Sequence, residues 1–186
     1  TPLSLCETIG GTEEEKNRCA SGVFNVIALY YANPKSGLKA SNKDPYLICK
    51  DQTKLYFQKP CYDQMNTYVL FKLSQGNLME AATFAQNLTE DEFAQAAMHG
   101  LAGAFGQSNV GKINYSQAVK VCKTIQPRLK SICIEGFLMG LIEGGQPGQE
   151  QTEGKLFCSN EQLNQDEREF CLNLLNQYLE RVNTKL

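Results

Sequence analysis

The sequence predicts an all-α protein built from tandem helical hairpins, and three observations carry that prediction. Eight cysteines fall in four pairs, Cys6/Cys19, Cys49/Cys61, Cys122/Cys133 and Cys158/Cys171, with separations of 13, 12, 11 and 13 residues. Between the second and third pairs stand Ala85 and Ala97, 12 apart, which read as a fifth copy without sulfur. Aligned on the second member of each pair, the anchors recur every 42, 36, 36 and 38 residues. Glycine-bearing breaks close the first four copies, at Asn33–Gly37, Ser74–Asn77, Gly106–Gly111 and Gly144–Gly148. One break per period, with a second turn inside it, fits helix–turn–helix pairs stacked in a solenoid-like array. The expected units are 1–37, 38–76, 77–111, 112–148 and 149–186, within one domain spanning 1–186.

The elements follow in order. In the first unit, Thr12-x-x-Glu15 has the form of a capping box. The helix it opens carries Val23, Phe24, Val26, Ile27, Leu29, Tyr30 and Tyr31, apolar almost all round, and is expected to be covered by neighbours on several sides. Asp44-Pro45 marks the start of the first helix of the second unit. Asn77-x-x-Glu80 and Thr89-x-x-Glu92 open the two helices of the third. Pro127 suits a first helical turn in the fourth. Asn164-x-x-Glu167 opens the last helix, whose stripe runs Phe170, Cys171, Leu174, Leu175, Tyr178, Leu179 and Val182. No segment alternates as a half-buried strand does, so little or no sheet is expected.

In this scheme the first cysteine of each pair lies near the end of one helix and the second lies about two turns into the next. Antiparallel helices in contact run about 8–10 Å apart, and facing Cβ atoms can reach the roughly 3.5–4.5 Å that a disulfide needs. The repeat therefore selects Cys6–Cys19, Cys49–Cys61, Cys122–Cys133 and Cys158–Cys171. Four crosslinks place the protein in an oxidising, extracytoplasmic compartment: periplasm, cell surface, secreted space or organelle lumen. A start at Thr1-Pro2 is what signal cleavage would leave.

Composition narrows the function. A net charge of −2, a pI near 5.5 and no basic run interleaved with aromatics exclude a nucleic-acid surface. The longest apolar run, Val23 to Ala32, falls short of the roughly 20 residues a membrane span takes. His99 is the single histidine, so neither a nucleophile–base pair nor a zinc ligand set is readily assembled once the cysteines are crosslinked. Gly100, Gly103 and Gly106, and Gly136, Gly140 and Gly144, are ridges of small residues that permit close helix packing. Acidic clusters at Glu13–Glu15, Glu90–Glu92 and Asp166–Glu169 suit helix N-termini. Asn87-Leu88-Thr89 and Asn114-Tyr115-Ser116 are glycosylation sequons. Tyrosines crowd the first two units, so Tyr30, Tyr31, Tyr46 and Tyr56 are the candidate partner-binding residues.

The pattern Cys-(x)10–12-Cys-x-x-Gly-Phe (Cys122, Cys133, Gly136, Phe137; Cys6, Cys19, Gly22, then Val23-Phe24), with His99-Gly100-x-x-Gly103, resembles a loose group of exported bacterial cysteine-rich helical-repeat proteins. A second histidine that such proteins carry after the His-Gly is absent from Ala102 to Phe105. The residues point to a non-catalytic extracytoplasmic protein-binding or scaffold module, an accessory subunit of a larger exported or membrane-associated complex. Such a module needs no cofactor, and any membrane association would come through its partner. The rival reading is a carrier of a small apolar ligand or metal held between helices near His99 and Met98. A hydrolase using His99 as its base ranks third.

Overall fold

The computed structural model describes residues 2–8, 11–41, 43–112, 115–146 and 148–183, and among these no strand occurs. The chain is helical: α1 (Pro2–Thr8), α2 (Glu13–Ala32), α3 (Leu47–Lys50), α4 (Leu55–Gln64), α5 (Leu78–Gln86), α6 (Asp91–Gln107), α7 (Ser116–Thr124), α8 (Lys130–Gly144), α9 (Glu150–Cys158) and α10 (Gln165–Asn183). Single 3-10 turns at Pro34–Ser36 and Pro127–Leu129, and a π-helical segment at Thr67–Leu73, complete the described elements.

All four cysteine pairs are joined as the repeat selects. The bridges run between α1 and α2, α3 and α4, α7 and α8, and α9 and α10, with Cα–Cα distances of 5.6, 5.4, 5.4 and 5.4 Å. In α5 and α6 the corresponding Ala85 and Ala97 are fully buried. Each predicted break contains a glycine with left-handed backbone, Gly37 (φ 74), Gly76 (φ 82), Gly111 (φ 74) and Gly148 (φ 89). At Gly37 that conformation lies directly beyond a 3-10 turn, where a side chain would be strained.

Start signals are read off in the contacts. Thr12 and Glu15 form a reciprocal capping box, Thr12 N–H donating to the Glu15 carboxylate at 2.7 Å and Glu15 N–H to the Thr12 hydroxyl at 3.3 Å. Asn164 and Glu167 do the same at 2.9 and 2.9 Å. Asn77 accepts from the N–H groups of Met79 and Glu80 at α5. Thr89 departs from the pattern: its hydroxyl donates to Glu90, and Glu92 reaches Lys59 instead. Asp44-Pro45 is also corrected, because the helix begins only at Leu47 and lasts four residues. Asp44 spends its side chain on the Tyr46 N–H and the Lys50 ammonium within that tight turn.

Two compact units divide the chain, Thr1–Leu101 and Ala102–Leu186, with the dividing point inside α6. In the first, α2 packs on α4 and the π-helical segment through Ala20, Phe24 and Ala28, which recur every fourth residue and are fully buried. The π geometry is marked by Ser74 N–H bonding the Val69 carbonyl, five residues back. In the second unit, Phe105, Tyr115, Phe137 and Phe157 form an aromatic cluster with ring centroids 4.7–6.2 Å apart. Here the glycine ridges meet. A Cβ on Gly140 would stand 2.0 Å from the Gly103 carbonyl oxygen, and one on Gly106 would stand 2.5 Å from that of Phe137. The ridges therefore serve backbone-to-backbone packing of α6 against α8.

Candidate binding surface

The surface of interest is the outward face of α2 in the first unit. Its capping box and the acidic first turn (Glu13, Glu14, Glu15) fix where the helix starts. With Ala20, Phe24 and Ala28 turned inward, helical periodicity must turn Gly22, Asn25, Val26, Leu29 and Tyr30 outward. Val26, Leu29 and Tyr30 are 50%, 52% and 50% exposed. This limits the expectation that neighbours cover α2 on several sides: α1, α4 and the π-helical segment pack on it, but the face of Val26, Leu29 and Tyr30 is left open. Nothing lies within 4 Å of a Cβ placed on Gly22, so the stripe begins with an open notch.

The chain leaving α2 extends the patch. The Ser36 hydroxyl donates to the Tyr30 carbonyl at 2.6 Å, which folds the 3-10 turn back beside that residue. Lys35, Leu38 and Lys39 follow at the surface, Leu38 with 52% exposure. Large apolar side chains flanked by charge make this face the candidate for recognition.

The candidate tyrosines separate. Tyr30 is on the stripe. Tyr31 is partly covered and meets Tyr68 edge-to-face at 5.7 Å. Tyr46 is only 1% exposed and packs on Tyr62, with ring centroids 5.2 Å apart. It is core and is withdrawn from the interface, since the short α3 turns its ring inward. Burial pushes the Tyr46 hydroxyl far above the usual phenol range, and that hydroxyl has no hydrogen-bond partner among the described residues.

Tyr56 belongs to a cleft of about 630 Å³ beside the start of α2, lined by Glu13, Glu14, Asn17, Lys54, Leu55 and Lys59. Its hydroxyl donates to Glu7 at 3.1 Å, and the Lys16 and Lys54 ammoniums each lie 5.7 Å from its ring centroid. Lys54 also pairs with Glu7. The Lys54 contact, followed by the Tyr56 hydroxyl, holds the Glu7 carboxyl below its usual range. Lys59 pairs with Glu92, and Glu14 with Arg18. Most charges in this cleft are therefore already answered from within the chain.

His99 sits on α6, its Nδ1 2.9 Å from the Asp63 carboxylate. Gly100 follows because a Cβ there would be 1.9 Å from the Asp63 carbonyl oxygen, so α6 and α4 touch at backbone distance. Met98 is fully buried. No three His, Cys, Asp or Glu side chains converge as metal ligands among the described residues. Asn87 and Thr89 of the first sequon are exposed, and Asn114 of the second lies outside the described residues. No helix among the described residues is long and apolar enough to cross a membrane.

The sequence alone does not reveal the stripe, because the apolar residues of α2 form a nearly continuous run. The signal for exposure is Asn25, which shares the helix face of Gly22, Val26 and Leu29. Comparison with family models, curated proteins and solved structures finds no match to this chain.

Proposed function

We propose that this chain is a non-catalytic protein-binding or scaffold module that works outside the cytoplasm as an accessory subunit of a larger exported or membrane-associated complex. The observation that carries the reading is the outward stripe Val26, Leu29 and Tyr30 on a helix whose other face is locked in the core. The four bridges support it in two ways. They need an oxidising compartment to persist, and they hold the hairpins in place before binding, which lowers the ordering cost of association. The tandem repeat along the chain gives the frame its regularity. Binding would draw on the apolar stripe for affinity and on the surrounding charges for orientation.

Purification from the native source without reductant, followed by native mass measurement, tests this reading. The expected result is a stoichiometric companion chain in an assembly heavier than the 20.7 kDa of one chain. A lone species at that mass contradicts it.

A further inference from the structure

We propose that His99 and Asp63 form a pH-sensitive latch that fastens α6 to α4 in acid and slackens as the solution turns neutral and then alkaline. The inference goes beyond the binding-module reading and holds whatever the α2 stripe meets. His99 Nδ1 stands 2.9 Å from a carboxylate oxygen of Asp63. The two side chains are 42% and 26% exposed, so protons from solvent reach the pair. Asp63 is held for this contact. Its other carboxylate oxygen accepts from the Gln64 amide at 2.7 Å, and its backbone carbonyl accepts from Asn66 at 2.8 Å. That same carbonyl lies against Gly100 of α6, so the pair sits where the two helix backbones touch.

Histidine is the side chain whose ordinary pKa, about 6.5, places its charge change between about pH 5 and pH 8. His99 is the single histidine of the chain, and the eight cysteines are spent in bridges. The hairpin α5–α6 has no disulfide, so a weakened side contact there has no covalent support. Other ties of α6 to α4 are the Lys59–Glu92 ion pair at 3.1 Å and the stacking of Tyr62 on Phe93, with ring centroids 4.6 Å apart. Of the elements around α6, α4 supplies Asp63 and Lys59, and α5 carries Glu80. The charged residues of α8 are Lys130, Glu135 and Glu143, the last 3.5 Å from the Gln107 amide. A carboxylate beside an imidazole favours the imidazolium over the neutral ring. The stabilisation from the pair is therefore complete below the ordinary histidine value of about 6.5, and is lost as the pH rises and the paired ring gives up its proton.

The test reads the latch in two ways, both in the oxidised full chain. Proton NMR follows the single imidazole through a pH titration. Asp63→Asn should move its midpoint to lower pH, because the counter-charge is gone, and Glu135→Gln should move it less. Native-state hydrogen exchange follows the amides of α5 and α6 as protection factors, which correct for the intrinsic pH dependence of exchange. Their protection should fall about twofold to fivefold between about pH 5 and pH 8, in keeping with a partly exposed ion pair, while that of α10 stays level. His99→Gln keeps a hydrogen-bonding amide but cannot charge, so it should level the slope in α5 and α6. Circular dichroism checks that each variant folds.

Protection that stays level in the wild type across that range overturns the proposal. So does a slope that survives His99→Gln, or a midpoint that Asp63→Asn leaves in place or moves less than Glu135→Gln does. A slope shared equally by α10 also overturns it, because pH would then act on the whole fold rather than on this contact. None of these outcomes bears on a companion chain, so the binding-module reading stands or falls separately.

Discussion

A methyl group on Gly140 would stand 2.0 Å from the carbonyl oxygen of Gly103, while one on Gly22 would meet nothing within 4 Å. The same substitution should therefore have opposite signs at the two positions. Gly140→Ala forces two helix backbones apart and should cost about 1–3 kcal/mol. Gly22→Ala only restricts the unfolded chain and should stabilise by about 0.5 kcal/mol or more. Urea unfolding of the two variants checks both signs. Tyr62 makes a pH prediction at the same scale. Burial, then the nearby Glu90 and Asp44 carboxylates, pushes its hydroxyl from 10.0 up to about 12. The folded state thus keeps a proton that the unfolded chain releases earlier. Its contribution to stability is complete below pH 10.0 and is lost as the pH rises toward about 12. Tyr62→Phe should flatten that part of the stability–pH curve; an unchanged curve would refute the assignment.

At the scale of the elements, α1 depends strongly on sulfur. Of its described residues only Cys6 is buried, and beyond that bridge it is held through Glu7, by Lys54 and Tyr56. Cys19 is the one cysteine of the eight that is not fully buried. A dithiol reductant should therefore open Cys6–Cys19 first, and thiol labelling with peptide mapping should find those two cysteines before any of the other six. Simultaneous opening of all four bridges would show that exposure does not set the order. Each bridge closes a loop of 11–13 residues and contributes about 2–3 kcal/mol by the chain-entropy account. The pair α5 and α6 lacks that help. If it shares the architecture of the other hairpins, Ala85→Cys with Ala97→Cys should oxidise spontaneously and raise stability by about 2 kcal/mol. Two persistently free thiols in that variant would contradict a shared architecture.

At the scale of the whole chain, much of the frame was legible because its signals are local. Cysteine spacing, the Thr12–Glu15 and Asn164–Glu167 boxes and the glycine at each break depend on a few neighbouring residues, so a linear reading reaches them. What failed depends on partners distant in sequence. Tyr46 reads like any other tyrosine until Tyr62 is seen to cover it. The outward turn of Val26, Leu29 and Tyr30 follows from where α1, α4 and the π-helical segment pack on α2, which composition does not encode. The π-helical segment at Thr67–Leu73 has no comparable local signature; its buried Tyr68, Val69 and Leu70 suggest that tertiary packing sets it.

The proposed function requires a stapled frame that presents one apolar helix face. Hydroxyl-radical footprinting of the assembled protein against the single chain tests that claim most directly. Labelling at Leu29 and Tyr30 should fall on assembly, while Leu156, equally open at 51% exposure in the second unit, should label as before. Equal labelling of Leu29 and Tyr30 in both states would mean that the stripe is not the binding surface.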